Sequence, residues 1–136
     1  MYYTIELVAH GVLRAELFGR KTAAETQEFI AALVAEVEKS DATRIFVLVR
    51  ASRPIFRVEQ YGLSEHFKRL AGMPQARMAL LADSDEVRSS HEYVETLARQ
   101  QNLSVRSFRS EALALEWLQA EAAPPLAERR QSQEKR

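Results

Sequence analysis

Two unbroken apolar runs, residues 45–49 and residues 78–82, constrain the fold of this chain more than any other feature. Neither run alternates with polar residues. A strand that is covered on both faces, as in a parallel sheet, has this pattern. We therefore expect the two runs to be neighbouring interior strands, with residues 45–49 at the centre of the sheet.

An N-terminal hairpin and a C-terminal edge strand complete the predicted sheet. Residues 4–9 alternate in hydrophobicity, residues 12–18 form a second β-like run, and His10 and Gly11 between them indicate a tight turn. Residues 104–109 form a short polar strand whose composition is typical of a sheet edge.

Helical spacing of apolar residues predicts a helix after each strand from the second onward. Thr22 and Glu25 have the spacing of a capping box at the start of the first helix, and Ser89 and Glu92 have it in the third. Gly72 ends the second helix. The residues predicted on the inner helix faces are Phe29, Ile30, Leu33, Val34 and Val37, then Val58, Leu63, Phe67 and Leu70, then Tyr93, Val94, Leu97 and Ala98, and finally Leu113, Trp117 and Leu118.

The order of elements is therefore ββαβαβαβα. It predicts one α/β domain over residues 1–122, with a mixed, mostly parallel five-stranded sheet and helices on both faces. Residues 123–136 are charged and rich in Gln with almost no apolar content, so we expect them to be a disordered tail.

Composition argues against several classes of function. The 19 Lys and Arg residues balance the 19 Asp and Glu residues, so no overall field favours nucleic acid. The absence of Cys excludes disulfides, thiol catalysis and thiolate metal sites, and it suits a reducing compartment. The start lacks the pattern of a signal peptide, and no apolar run approaches the ~20 residues of a membrane span. We expect a cytoplasmic protein.

A loop rich in arginine follows the central strand. Arg50, Ser52, Arg53 and Arg57 lie just before the second helix, at the strand end where α/β sheets bind ligands. Arginines in this position could hold a phosphate or a carboxylate. The alternative, which we favour, is a solvated loop whose arginines pair with nearby acids.

An acidic turn follows the next strand. Asp83, Ser84, Asp85 and Glu86 could bind a hard cation, but acidic residues before a helix more often complement the helix dipole. We favour the dipole interpretation. An enzyme that uses Asp83 or Ser84 remains as a third hypothesis, without a motif to support it.

No other residue pattern indicates catalysis, a cofactor or a metal. His10, His66 and His91 lack zinc-site spacing and are predicted to be surface residues. The glycines form no phosphate-binding loop. Aromatic side chains, including Phe56, Tyr61, Phe67 and Trp117, could line an apolar ligand pocket, although such residues are usually part of the core.

Several segments, together with the order of elements, carry a resemblance to a known family. The segments are residues 47–49, 58–63, 77–84, 105–108 and 114–118. They resemble the STAS domains, which are typified by bacterial anti-sigma-factor antagonists, and the second half of the chain is especially similar to the divergent STAS/Sec14-like branch.

This resemblance covers most of residues 2–120 and implies a scaffold that acts by binding and without catalysis. In regulatory members a serine of an Asp-Ser-Ser-Gly-Leu motif is phosphorylated, but Gln60 and Tyr61 occupy the serine positions here, so that switch is missing. We expect a non-enzymatic module that contacts a protein partner or a second copy of itself through residues 52–67. The alternative implied by the Sec14-like branch is binding of a small apolar ligand or lipid around Phe56, Tyr61 and Phe67.

Overall fold

A computed structural model describes residues 1–54 and 62–120 of the chain. The predicted disordered tail over residues 123–136 lies outside the described residues. The strands are β1 (Tyr2–Leu7), β2 (Val12–Phe18), β3 (Arg44–Arg50), β4 (Arg77–Ala82) and β5 (Ser104–Phe108). The α-helices are α1 (Ala23–Ser40), α2 (Leu63–Ala71), α3 (Asp85–Gln100) and α4 (Glu111–Gln119), and a 3-10 turn (Ala9–Gly11) joins β1 to β2.

The five strands form one sheet in the order β1-β2-β3-β4-β5. β1 pairs with β2 in antiparallel fashion, and β2, β3, β4 and β5 are parallel to one another. The predicted mixed α/β sheet is therefore confirmed, with β3 at its centre. The hairpin is confirmed as well, and its turn has positive φ values at His10 (φ 64) and Gly11 (φ 71).

Local sequence explains where α1 begins. Thr22 accepts a hydrogen bond from the amide of Glu25, and the Glu25 carboxylate accepts from the amide of Thr22, so the predicted capping box is present. The helix buries its apolar stripe against the sheet. The buried residues of that stripe are Phe29, Leu33, Val34 and Val37.

Helices cover both faces of the sheet, as predicted. α1, α2 and α3 pack on one face around a large core that includes Leu33, Ile45 and Phe67. α4 packs on the other face, where Phe46 and Leu118 are fully buried. Among the described helices, none combines the length and the apolarity that crossing a bilayer requires.

Three predictions about the helices are wrong. α3 begins at Asp85, because Ser84 and not Ser89 caps it by accepting a hydrogen bond from the amide of Val87. Tyr93 and Leu113, predicted on inner faces, are large exposed side chains. On each helix they lie about a quarter turn outside the stripe of buried residues.

Candidate functional site

The ends of β3 and β4 lie side by side, because Leu48 pairs with Leu81 and Val49 with Ala82. Beyond them, the loops after these strands and the start of α4 border a shallow recess of about 210 Å³. We call this recess together with the two loops the carboxyl-end rim. Its polar residues in the lining of the recess are Arg50, Asp83, Arg109, Ser110 and Glu111, and its other loop residues are Ala51, Ser52, Arg53 and Ser84. The ends of β3 and β4, where the sequence predicted a site, therefore lie next to each other at this surface.

The side chain of Arg50 is held in one orientation at this rim. Its Nε donates to Oε2 of Glu16 at 2.6 Å, and Arg14 donates to the other carboxylate oxygen at 3.1 Å. Burial alone would raise the pKa of Glu16, but the hydrogen bonds and charges of Arg50 and Arg14 outweigh it and hold that pKa below its usual range. Arg50 is thus paired with an acid, as we expected for this loop.

The backbone of the arginine loop is held by short-range and long-range hydrogen bonds. Ser52 Oγ donates to the carbonyl of Arg50 at 2.9 Å and accepts from the amide of Arg20 at 3.1 Å. The amide of Arg53 donates to the carbonyl of Arg20 at 3.0 Å. The side chain of Ser52 is therefore structural, and the loop presents Arg53 to solvent.

Asp83 joins the two loops of the rim. Its Oδ2 accepts a hydrogen bond from the amide of Ala51 at 2.9 Å, and its own amide donates to the carbonyl of Val49 at 3.3 Å. Ala51 has φ 48, a left-handed conformation that a residue with a side chain rarely adopts. The carboxylate of Asp83 thus stabilises a turn that is otherwise unfavourable.

The remaining polar groups of the acidic turn act on α3. Ser84 caps the helix, and Asp85 pairs with Arg88 within the first turn. Within residues 1–54 and 62–120, no group of three potential ligands is arranged to hold a metal ion. These contacts fit the helix-dipole interpretation of the turn better than the cation interpretation.

Of the other predicted site residues, only Phe67 and Trp117 lie within the described part of the chain. Phe56, Arg57 and Tyr61 lie outside the described residues. Phe67 is 1% exposed and belongs to the core, as the more conservative interpretation predicted. Trp117 is partly buried against the smaller core under α4.

Sequence reasoning missed a small, partly open cavity of about 40 Å³ between the sheet and helices α1 to α3. Arg20, Thr26 and His91 supply its polar atoms, and all three are buried. The surface prediction for His91 is wrong, since it is only 3% exposed. Burial, with the charges of Arg20 and Arg88, lowers the pKa of His91 to about 4.

The sequence did contain a signal for His91. It follows Val87 by four residues and precedes Val94 by three, so it lies on the buried stripe of α3. No comparable signal identifies Arg20, which follows the positive-φ Gly19 at the end of β2. Its guanidinium donates through Nη2 to the carbonyl of Arg53, so its burial depends on a loop far away in sequence.

A wider groove of about 680 Å³ runs along the outer edge of β5, lined by Glu95, Arg99, Asn102 and Trp117 among others. It is larger than the rim recess but lies away from the strand ends. The Glu95 carboxylate accepts a hydrogen bond from the amide of Ser107 and so covers part of the exposed sheet edge. We assign this groove to edge protection.

Within residues 1–54 and 62–120, the rim and the cavity differ in character. The rim is mostly polar and its hydrogen bonds hold two loops, whereas the cavity is mostly apolar with three buried polar residues in its lining. Comparison of the chain with protein-family models, with curated proteins and with solved structures found no match.

Proposed function

We propose that this chain is a non-enzymatic, STAS-like binding and regulatory module that acts through protein–protein contact at the carboxyl-end rim, without a phosphoserine switch. The observation that carries the proposal is the way Asp83 and Ser52 hold the loop that exposes Arg53. A preorganised loop loses little conformational freedom when a partner binds.

The hydrogen bonds that Asp83 and Ser84 already make support binding over catalysis. Asp83 accepts from the amide of Ala51, and Ser84 accepts from the amide of Val87. A general base or a nucleophile needs hydrogen-bonding capacity directed at a substrate or at a partner in catalysis. The Asp83 side chain instead accepts from the backbone of the neighbouring loop, and the Ser84 side chain accepts from the backbone of α3.

The chemistry of the rim indicates what the partner contributes. Arg109 is exposed and Arg50 partly exposed at the recess, and Arg53 is exposed on the loop that follows Arg50. Arginine is enriched at the energetic centres of protein interfaces and forms paired hydrogen bonds with carboxylates. We therefore expect a partner, or a second copy of the chain, to place acidic side chains against this rim.

Site-specific photocrosslinking tests the proposal. A photoreactive amino acid replaces Arg109 in one variant and Lys39, exposed near the end of α1, in the control variant. The two positions lie at opposite ends of the sheet. We expect one discrete adduct from the Arg109 position in extracts of the source cell, identified by mass spectrometry, and none of the same mass from Lys39.

The affinity of the purified partner for variants of the chain then decides whether the partner binds at the rim. Arg53→Glu is expected to weaken the affinity by at least about tenfold, the typical effect of removing an arginine at an interface centre, whereas Lys39→Glu leaves it unchanged. Equal affinity of both variants contradicts the proposal. So does a protein that stays monomeric in sedimentation and yields no adduct at the Arg109 position.

Binding of a lipid or another drug-sized apolar molecule is the second candidate, and one contact favours it. Phe67 lines a cavity, as that hypothesis requires. The volume of about 40 Å³ is nevertheless far below the ~300–1,000 Å³ of sites for drug-sized ligands. The rim therefore supports protein binding more strongly than the cavity supports lipid binding.

A further inference from the structure

The two edges of the sheet differ in how well they resist pairing with another strand. Among residues 1–54 and 62–120, the edge strands are β1 and β5. The β5 edge is partly covered, because the Glu95 carboxylate accepts a hydrogen bond from the amide of Ser107. β1 has a single charged residue, Glu6, and no proline, and its Tyr2 and Leu7 side chains are 61% and 58% exposed. β1 is therefore the edge that a further strand can extend.

One hydrogen bond of the hairpin fixes the direction of the backbone groups of β1. The amide of Val8, the residue after β1, donates to the carbonyl of Val12 at 2.8 Å. Backbone groups alternate in direction along a strand, so every second residue of β1, counted back from Val8, directs its amide and carbonyl at β2. The residues between them, Tyr3, Ile5 and Leu7, direct theirs away from the sheet. β1 therefore presents a row of backbone donors and acceptors at this edge.

The other side of β2 agrees with this alternation. The amide of Gly19, just after β2, donates to the carbonyl of Arg50 in β3 at 3.1 Å. Gly19 therefore faces β3, and the residues of β2 with even numbers face β1. Their register partners in the hairpin are Glu6, Thr4 and Tyr2, which are the residues that the bond at Val8 also directs inward.

The sequence of β1 complements itself when two copies of the strand pair in antiparallel fashion. Side chains directly opposite each other must lie on the same face of the sheet, and the outward backbone groups must meet. A twofold axis through Ile5 satisfies both conditions. It places Ile5 opposite its own copy, Tyr3 opposite Leu7, and Thr4 opposite Glu6. These are apolar pairs and a pair of hydroxyl donor and carboxylate acceptor, all of them favourable across strands.

Other axes along β1 are less suitable. An axis through Glu6 places the two Glu6 carboxylates against each other, which is unfavourable. An axis through Thr4 leaves Leu7 without an opposite residue inside the strand, because β1 spans Tyr2–Leu7. The axis through Ile5 pairs all three outward residues within β1.

A second copy is also the occupant that closes the assembly. If β1 of one copy paired with β5 of another, the contact would be head-to-tail, and the sheet could grow without limit. Pairing of β1 with β1 uses the same surface on both copies and ends with the dimer. The only sheet edges left among the described residues are then the two β5 edges, which Glu95 partly covers.

We propose that β1 is a homodimer interface, at which two copies of the chain pair in antiparallel fashion about a twofold axis through Ile5. The two sheets become one continuous sheet, and the exposed Leu7 packs against Tyr3 of the second copy. The interface lies at the edge of the sheet, away from the carboxyl-end rim, and it does not rest on protein binding there.

Sedimentation equilibrium of the full chain over a range of concentrations tests the dimer. Leu7→Lys should weaken dimerisation by at least about tenfold, because the twofold axis makes it remove two apolar contacts at once. Leu113→Lys is the matched control, since Leu113 is a similarly exposed leucine on α4, 53% accessible. It should dimerise like the wild type. Amide spectra verify that each variant is folded.

The register is tested by a change that should strengthen the dimer. Thr4→Lys places an ammonium group opposite the Glu6 carboxylate of the second copy, so dimerisation should tighten by about threefold or more. Thr96→Lys, at an exposed position of α3, is the matched control and should have no effect. In mixed dimers of labelled and unlabelled chains, an Overhauser effect should join the Hα atoms of Thr4 and Glu6, which form a non-hydrogen-bonded pair.

Three results would overturn this interface. They are a chain that stays monomeric at millimolar concentration, equal dimerisation by Leu7→Lys and the wild type, and a dimer that Thr4→Lys weakens. Arg53→Glu separates this proposal from binding at the rim, since it should dimerise like the wild type. If Arg53→Glu abolishes self-association and Leu7→Lys does not, the copies meet at the rim and the β1 interface is wrong.

Discussion

The carboxyl-end rim and the cavity under α3 both contain polar side chains, but their polar groups have different surroundings. At the rim, Asp83 is exposed and its carboxylate accepts a backbone amide, so solvation and hydrogen bonding are both retained. In the cavity, His91 has lost water and its Nδ1 gains no partner from the described residues. Holding the two loops at the rim therefore costs little free energy of desolvation, whereas the cavity makes the stability of the fold depend on the protonation state of His91.

The largest predicted effect is a loss of stability in mild acid that depends on His91. The pKa of His91 is about 4 in the folded chain against 6.5 ordinarily, so the unfolded chain binds the proton more tightly. Stability is therefore complete above pH 6.5 and is lost as pH falls from 6.5 towards 4. Urea unfolding should show a loss of about 2 kcal/mol between about pH 7.5 and about pH 5.

A variant without the imidazole isolates this effect. His91→Leu should flatten the pH dependence over that window, because Glu16, whose pKa is lowered, titrates only below it. His10→Asn serves as the control and should retain the wild-type slope. If His91→Leu loses stability in acid as steeply as the wild type, the contrast between cavity and rim does not hold.

An intermediate effect is expected when the contact between the two loops of the rim is removed. Asp83→Ala deletes the acceptor of the Ala51 amide and should lower the free energy of unfolding by about 1 to 2 kcal/mol. Asp85 has an exposed carboxylate that pairs with Arg88 in the first turn of α3, so Asp85→Ala should cost less, within about 1 kcal/mol. Thermal and urea unfolding both measure the difference.

The strain at Ala51 provides an independent check of the same contact. Glycine adopts φ 48 without the steric cost that alanine has there, so Ala51→Gly should stabilise the chain by up to about 1 kcal/mol. Destabilisation by this change, or equal costs for Asp83→Ala and Asp85→Ala, would mean that Asp83 does not hold the turn.

The fold was predictable because its signals are local and repeated. Residues 45–49 and 78–82 lie in interior strands β3 and β4, as their unbroken hydrophobicity indicated, and all of them are buried except Leu81, which is partly buried. Thr22 and Glu25 predicted the start of α1 correctly, since both partners of a capping box lie within one helical turn.

The site was only partly predictable, because its contacts join residues that are distant in sequence. Asp83 and Ser84 were recognised as polar residues at a strand end, but the bond from Asp83 to Ala51 spans 32 positions and leaves no sequence pattern. The hydrogen bond from the Arg20 guanidinium to the carbonyl of Arg53 likewise spans 33 positions and leaves no sequence pattern. His91 is different, since its place on the stripe of α3 was visible and was outweighed by the general preference of histidine for the surface.

The smallest predicted effect concerns the start of α3, where the sequence offered two serines. Ser84 accepts a hydrogen bond from the amide of Val87, so Ser84→Ala should lower the free energy of unfolding by about 1 kcal/mol. Ser89 is exposed inside the helix, where alanine has the higher helix propensity, so Ser89→Ala should be neutral or stabilising by a few tenths of a kcal/mol. Chemical denaturation of the two variants measures both changes. The reverse order would place the start of α3 at Ser89, and the rim would then lose the fixed turn that links Asp83 to the helix.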